Sequence, residues 1–442
     1  MKKLTYPLLI FSLLITLGFV YKNYENKKNA TPILLERPKA QTISMQSEWM
    51  NTKQAIETLL DQLRRHPEDL KTKIKLAMAY IQESRVTGNH AYYDEAALKL
   101  VEQVLAKEPE NYDGLAAKTT ILLSQHHFSD ALLEAQKFVK LYPDAAFGYG
   151  LLCDAHVELG HYSEGVAAAD KMVNIRPDLR SYSRVAYLRE IYGDFEGAKQ
   201  AMLMAVKSGV EGLEQTEWCR TELGKLYENT GDTAKAAQYY EQALALRPDY
   251  AYALAGLGRL AKLTGYSTVE QEAKSRYFGE AGSFFKKAAE QTMDFSFYDE
   301  LTDCLAKQNP IEARQNAEKV IAQLAQHAND DAAESDKGHY ADKELAYAYL
   351  KVGDTEKALT HAIREWNRRP DNIDVNECVA WVYCQKNDYA TAAKYIEKAL
   401  KTNSQNARLL YRAGLIFQKS SNSMRGNTLI QKALFINKFV QP

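Results

Sequence analysis

Residues 217–250, EWCRTELGKLYENTGDTAKAAQYYEQALALRPDY, decide the fold. Gly224 and Ala236 are small where two helices would cross closely, while Leu223, Tyr227 and Tyr240 supply bulk to fill the gaps around them. Gly231-Asp232 sits between two amphipathic segments and reads as a turn. Pro248 stops the second segment, because it lacks an amide proton and clashes with the preceding helical turn. The stretch therefore predicts two helices packed against each other.

Outward from this unit the same punctuation returns at a fixed interval. Pro109, Pro143 and Pro177 stand 34 residues apart, and Gly231 and Gly265 repeat that interval. Ala358 with Tyr349 and Pro370, Ala392 with Tyr383 and Ala399, and Gly426 with Gly414, Phe417 and Ala433 mark three more units in one register. Upstream, Ala97 with Leu76, Ala77 and Tyr80 marks a unit whose turn is lengthened around Arg85 to Tyr93, and Ala131, Gly165 and Ala198 mark the next three. Ala55, Leu59 and Pro67 read as a lone opening helix.

Leu223, Gly224, Tyr227, Gly231, Ala236, Tyr240, Ala243 and Pro248 stand at signature positions, and on them the chain resembles the tetratricopeptide repeat family. The resemblance covers nearly everything after residue 50. It implies an all-α fold, a right-handed superhelical solenoid of tandem helix-turn-helix repeats, with the first helix of each unit lining a concave groove. Arg176 to Ala261 is also similar to membrane- or envelope-associated bacterial repeat proteins. The expected layout is residues 1–21 as a signal peptide or transmembrane anchor and 22–50 as a polar tether, followed by an N-terminal array over 51–294. A degenerate repeat with an acidic loop spans 295–337, and a C-terminal array spans 338–442. The weak stretch begins with an expanded turn between Tyr266 and Gly279, and its acidic loop is His327-Ala328-Asn329-Asp330-Asp331.

Composition narrows the function. In 442 residues the basic and acidic side chains nearly cancel, leaving a formal net charge of -1, with both signs scattered. Neither nucleic acid nor an acidic membrane surface is implied as a partner. Cys153, Cys219, Cys304, Cys378 and Cys384 are an odd number spread over helical stretches and read as packing residues. Lys2 and Lys3 precede an uncharged run from Leu4 to Tyr21. At the helical rise this reaches about 27 Å, the lower end of what spans a hydrocarbon core. An uncleaved anchor, with the array outside the cytoplasm in the periplasm or envelope, is the expectation. Lys22, Lys27, Lys28, Arg37 and Lys39 support the alternative, the cytoplasmic face.

Catalytic and cofactor signals are missing from the pattern. Gly224-Lys225 has Cys219 where a phosphate-binding loop needs glycine and Leu226 where it needs a hydroxyl. His126, His127, His156 and His161 lack metal-ligand spacing, no GxSxG occurs, and the carboxylates are interleaved with lysines as on any wet helix face. A glycosidase on a helical toroid is the remote enzymatic alternative. The expectation is no enzyme, no metal and no cofactor.

Binding is what the resemblance implies. Projected by register, Asp154, Tyr187, Lys225, Arg259, Tyr347 and Trp381 face the groove, with Trp218, Tyr252 and Tyr340 a helical stretch earlier. Rings supply rigid contact area, and Lys225 with Arg259 suits a carboxylate. The asparagines that accompany the basic residues of the family's chaperone-tail clamp are absent, which disfavours a chaperone C-terminus as ligand. The partner is thus a protein or peptide of unknown identity. The alternative is a structural or self-associating array, for which Leu429, Ile430, Leu434, Phe435, Ile436 and Phe439 leave the last repeat little polar cover.

Overall fold

The computed structural model describes residues 32–327, 339–420 and 422–441. Among the described residues two opening helices, α1 (Lys39–Ser44) and α2 (Gln46–Arg65), precede ten helix pairs. These are α3 (Leu70–Thr87) with α4 (His90–Lys107), α5 (Tyr112–Ser124) with α6 (Phe128–Leu141), and α7 (Ala146–Leu159) with α8 (Tyr162–Ile175). There follow α9 (Leu179–Ile191) with α10 (Phe195–Ser208), α11 (Glu214–Asn229) with α12 (Thr233–Leu246), and α13 (Ala251–Ser267) with α14 (Gln271–Gln291). The last four are α15 (Phe295–Leu305) with α16 (Pro310–His327), α17 (Asp342–Lys351) with α18 (Thr355–Arg368), α19 (Ile373–Gln385) with α20 (Tyr389–Ala399), and α21 (Ala407–Lys419) with α22 (Ser423–Ile436). The fold is all-α, and no strand occurs among the described residues.

Each pair closes as the sequence dictates. Gly231 takes φ 78, the left-handed conformation that a side chain disfavours, and Asp232 then caps α12 by accepting from the Lys235 amide at 3.1 Å. Asp194, Asp354 and Asp388 cap their helices in the same way. Tyr240, fully buried, lies between two inner helices. A Cβ on Gly224 or on Gly256 would stand 2.6 Å from its ring, so glycine at both places is what lets α11 and α13 approach.

Two expected irregularities take another form. The extra residues after Arg85 and after Tyr266 lengthen helices instead of loops: only Gly88 and Asn89 separate α3 from α4, and only 268–270 separate α13 from α14. Through 295–327 the helices continue as a regular pair, α15 packing on α14 and α16 on α17. The signature is blurred there because Asn316 sits inside the pair, donating to the Tyr298 carbonyl at 2.7 Å and the Thr302 hydroxyl at 2.8 Å.

Residues 32–50 are likewise docked onto the first pair, not a free tether. Tyr80 Oη donates to the Pro32 carbonyl at 2.8 Å, and the buried Arg37 is paired with Glu83 and Glu48. Prolines and polar residues suggested a solvated linker, but Arg37 is buried there with its charge paired.

The expectation of a membrane-anchored array is corrected. Among the described residues no helix is long and apolar enough to cross a membrane, which leaves the anchor and the placement drawn from it without support. The hydrophobic segment 1–21 and most of the acidic loop lie outside the described residues.

The superhelix closes on itself. Rim turns, those within a pair, of the first superhelical turn meet foot loops, those between pairs, of the second. The Thr87 carbonyl accepts from the Met293 amide at 2.8 Å, and the Gln125 carbonyl from the Tyr340 amide at 3.1 Å. Glu158 pairs with Arg369 at 2.5 Å, and Asn437 Nδ2 donates to the Glu228 carbonyl at 3.0 Å. Arg247 reaches back to Glu48 at 2.9 Å. The hydrogen-bonded partners Arg247–Glu48, His126–Tyr340, Arg369–Glu158 and Asn437–Glu228 are 199, 214, 211 and 209 residues apart, so one superhelical turn takes about six repeats of the family's ~34 residues. An array of nearest-neighbour contacts has thereby gained a seam between its two turns.

Candidate functional site: an enclosed lumen

First helices of successive pairs touch one another as well as their own partners (α5 with α7, α7 with α9, α11 with α13, α17 with α19), and no comparable contact joins the second helices among the described residues. The first helices therefore form the inner wall. Because the seam is closed, that wall surrounds a lumen. Tyr187 of the first superhelical turn has Asp374 of the second among its charged neighbours, and Asp374 in turn faces Lys343 and Glu158.

Charges on the wall are mostly paired with each other. Arg184 grips Asp154 through Nε at 2.8 Å and Nη2 at 2.5 Å, yet burial outweighs the guanidinium and leaves the Asp154 carboxyl above its usual range. Arg259 Nε donates to Glu228 at 3.0 Å and Nη2 to Tyr240 Oη at 3.1 Å, which locks α13 onto α11 and α12. Lys262 bridges Glu300 and Asp303, and Lys351 bridges Asp299 and Asp303 at 2.8 Å each. Burial opposes ionisation of Asp303, but the two ammonium groups outweigh it and hold its carboxyl below the ordinary value. Arg412 donates to Glu377 at 2.8 Å and to Tyr347 Oη at 3.2 Å, while its guanidinium lies over the Trp381 ring at 4.7 Å.

The expected groove residues thus divide. Asp154, Tyr187, Lys225, Arg259, Tyr347 and Trp381 all stand on inner helices. Asp154, Arg259, Tyr347 and Trp381 are engaged by wall partners, whereas Tyr187 is 43% exposed and the Lys225 side chain 49%, the latter loosely paired with Glu222 at 3.5 Å. Burial by the surrounding walls pushes the Tyr187 hydroxyl well above its ordinary value although the ring meets solvent in the lumen. Trp218 lies under the Arg85 guanidinium at 5.7 Å, and Tyr252 packs edge-on against Tyr250 and Phe297. Tyr340 is elsewhere: it stacks on His127 at 4.1 Å in the seam. Sequence reasoning missed Arg184, Lys262, Lys351 and Arg412. Lys262 was within reach, because it lies one position-three step along the helix face already assigned to Arg259.

At the far end, α22 exposes Met424, Leu434 and Phe435, while Ile436 and Val440 fold back onto Ala407 and Leu410. Cys153, Cys219, Cys304 and Cys378 are buried, and burial pushes each thiol up to about 12. Among the described residues no group of three or more His, Cys, Asp or Glu could hold a metal ion.

A tandem array of helix pairs, with small residues at each crossing and a capped turn in each pair, defines a repeat scaffold. A tetratricopeptide repeat model matches residues 219–250, within the stretch that decided the fold, and the tandem helix pairs on either side are similar to that repeat. It is 35% identical over 99 residues to the Hsp70-Hsp90 organizing protein of Triticum aestivum, a match spanning 22% of this chain and 17% of that relative. Similar solved structures include a human IFIT1 dimer with PPP-AAAA, 13% identical with a TM-score of 0.47 over 87% of this chain and 86% of that one. Another is a Thermus thermophilus tetratricopeptide protein, 18% identical with a TM-score of 0.37 over 48% of this chain and 98% of that one. Neither likeness bears on function, and the likeness to bacterial membrane- or envelope-associated members is not shown.

Proposed function

We propose that this scaffold holds an extended segment of a partner protein inside the lumen. The observation that carries the proposal is Tyr187 with Lys225: a ring and an ammonium group on adjacent inner helices, half open to the enclosed space. A ring offers rigid area at low conformational cost, and a loosely held lysine can exchange Glu222 for a carboxylate of the ligand. The matching asparagines of the chaperone-tail clamp are absent, so a general acidic or aromatic-bearing segment fits better than a chaperone tail.

The test is crosslinking capture with the full chain against a Tyr187→Ala/Lys225→Ala variant of unchanged helicity. Loss of one defined partner supports the lumen as the binding site. Retention of the same partners at the same yield would overturn it.

A further inference from the structure

The seam inside this chain shows how one superhelical turn seats on the next, and among the described residues the same two surfaces recur uncovered elsewhere in the array. In the seam, the loop Arg369-Pro370-Asp371-Asn372 lies on the turn around Gly160. A Cβ on Gly160 would stand 2.2 Å from the Asp371 carbonyl carbon, and Asn372 Nδ2 donates to the Glu158 carbonyl at 3.0 Å. Gly160 has φ 83, and its amide donates to the Val157 carbonyl at 3.0 Å.

The uncovered counterpart of that turn is at Gly353. It has φ 81, its amide donates to the Leu350 carbonyl at 3.1 Å, and nothing among the described residues lies within 4 Å of where its Cβ would be. The counterpart of the loop, exposed at 108–110 among the described residues, is Glu108-Pro109-Glu110-Asn111. Its turn is closed by the Asn111 amide to the Glu108 carbonyl at 3.0 Å, as Asn372 to Arg369 closes the other at 3.2 Å. Asn111 caps α5 as Asn372 caps α19, and its Nδ2 is turned back on Glu108 of its own loop. One repeat further on, the exposed Pro143-Asp144 loop and the exposed Asn387-Asp388 turn stand in the same relation.

From this we infer that the chain stacks head to tail on a second copy of itself, the Glu110 loop of one copy seating on the Gly353 turn of the other. The contact continues the superhelix across the junction, as the seam already does within the chain. It is heterologous, each copy using a different face, so a stack grows until one face is blocked. The inference is independent of what occupies the lumen.

Sedimentation velocity on the full chain tests it across the micromolar range. The rim variant is Gly353→Asn with Lys386→Glu, since asparagine tolerates positive φ but places atoms where a docked loop must lie. The foot variant is Glu110→Arg with Asp144→Arg, both exposed positions. Wild type is expected to gain mass with concentration, and each variant alone to associate at least about tenfold more weakly. An equimolar mixture of the two variants keeps one good rim and one good foot, and should form a 1:1 dimer that grows no further. A wild type that stays monomeric, association untouched by either variant (as through the apolar Leu4–Tyr21 run), or a mixture that fails to dimerise would each overturn the inference.

Discussion

Tyr240 joins α11, α12 and α13. Its ring fills the space left by Gly224 and Gly256, and its hydroxyl donates to Glu228 at 2.6 Å and accepts from Arg259 at 3.1 Å. Gly224→Leu should therefore cost about 1–3 kcal/mol by overpacking, read as a lower urea midpoint at unchanged slope. His126 is the second residue whose surroundings make a prediction. Its Nδ1 lies 2.7 Å from the Tyr340 carbonyl across the seam, and its ring is 4.3 Å from that of His339. Burial holds its pKa below 6.5, with Arg369 and Lys343 acting in the same direction and Glu344 and Glu158 against it. A depressed folded value means that the unfolded chain takes up the proton first. The contribution of His126 to stability is thus full above 6.5 and is lost as the pH falls from there toward the folded value. His126→Asn, which suits the positive φ of that residue, should lower the melting temperature at about pH 7.5 and shrink the further drop seen on acidifying to about pH 5.5. An equal drop in both proteins would assign the acid sensitivity to other groups.

At the scale of the helix, local chemistry was largely legible. Gly231-Asp232 announced both the left-handed turn and the cap that follows it, and Asp232→Ala should remove about 1 kcal/mol of stability in chemical denaturation. Where the pattern faltered, the helices persisted for reasons the signature does not encode. Asn316 places two hydrogen bonds within α15–α16, and the added residues near Arg85 and Tyr266 lengthen the helices that carry them. The candidate site was half legible. Register alone placed Tyr187 and Lys225 on the inner wall, but it could not tell that Arg259 is committed to Glu228 and Tyr240. Pairing between neighbouring repeats depends on side-chain reach, and period carries no record of it.

For the whole molecule, the sequence revealed the repeat but not the closure. The residues that join the two superhelical turns are ordinary loop residues some two hundred positions apart, and Tyr340, projected onto the groove, belongs to that join instead. Closure is what turns a concave surface into a lumen. Residue-resolved hydrogen exchange is the test, because the amides of Met293 and Tyr340 sit in foot loops and donate to the Thr87 and Gln125 carbonyls of the first turn. A closed superhelix predicts that both amides exchange about a hundredfold or more slowly than exposed loop amides. Exchange at the rate of an open loop at both positions would contradict it.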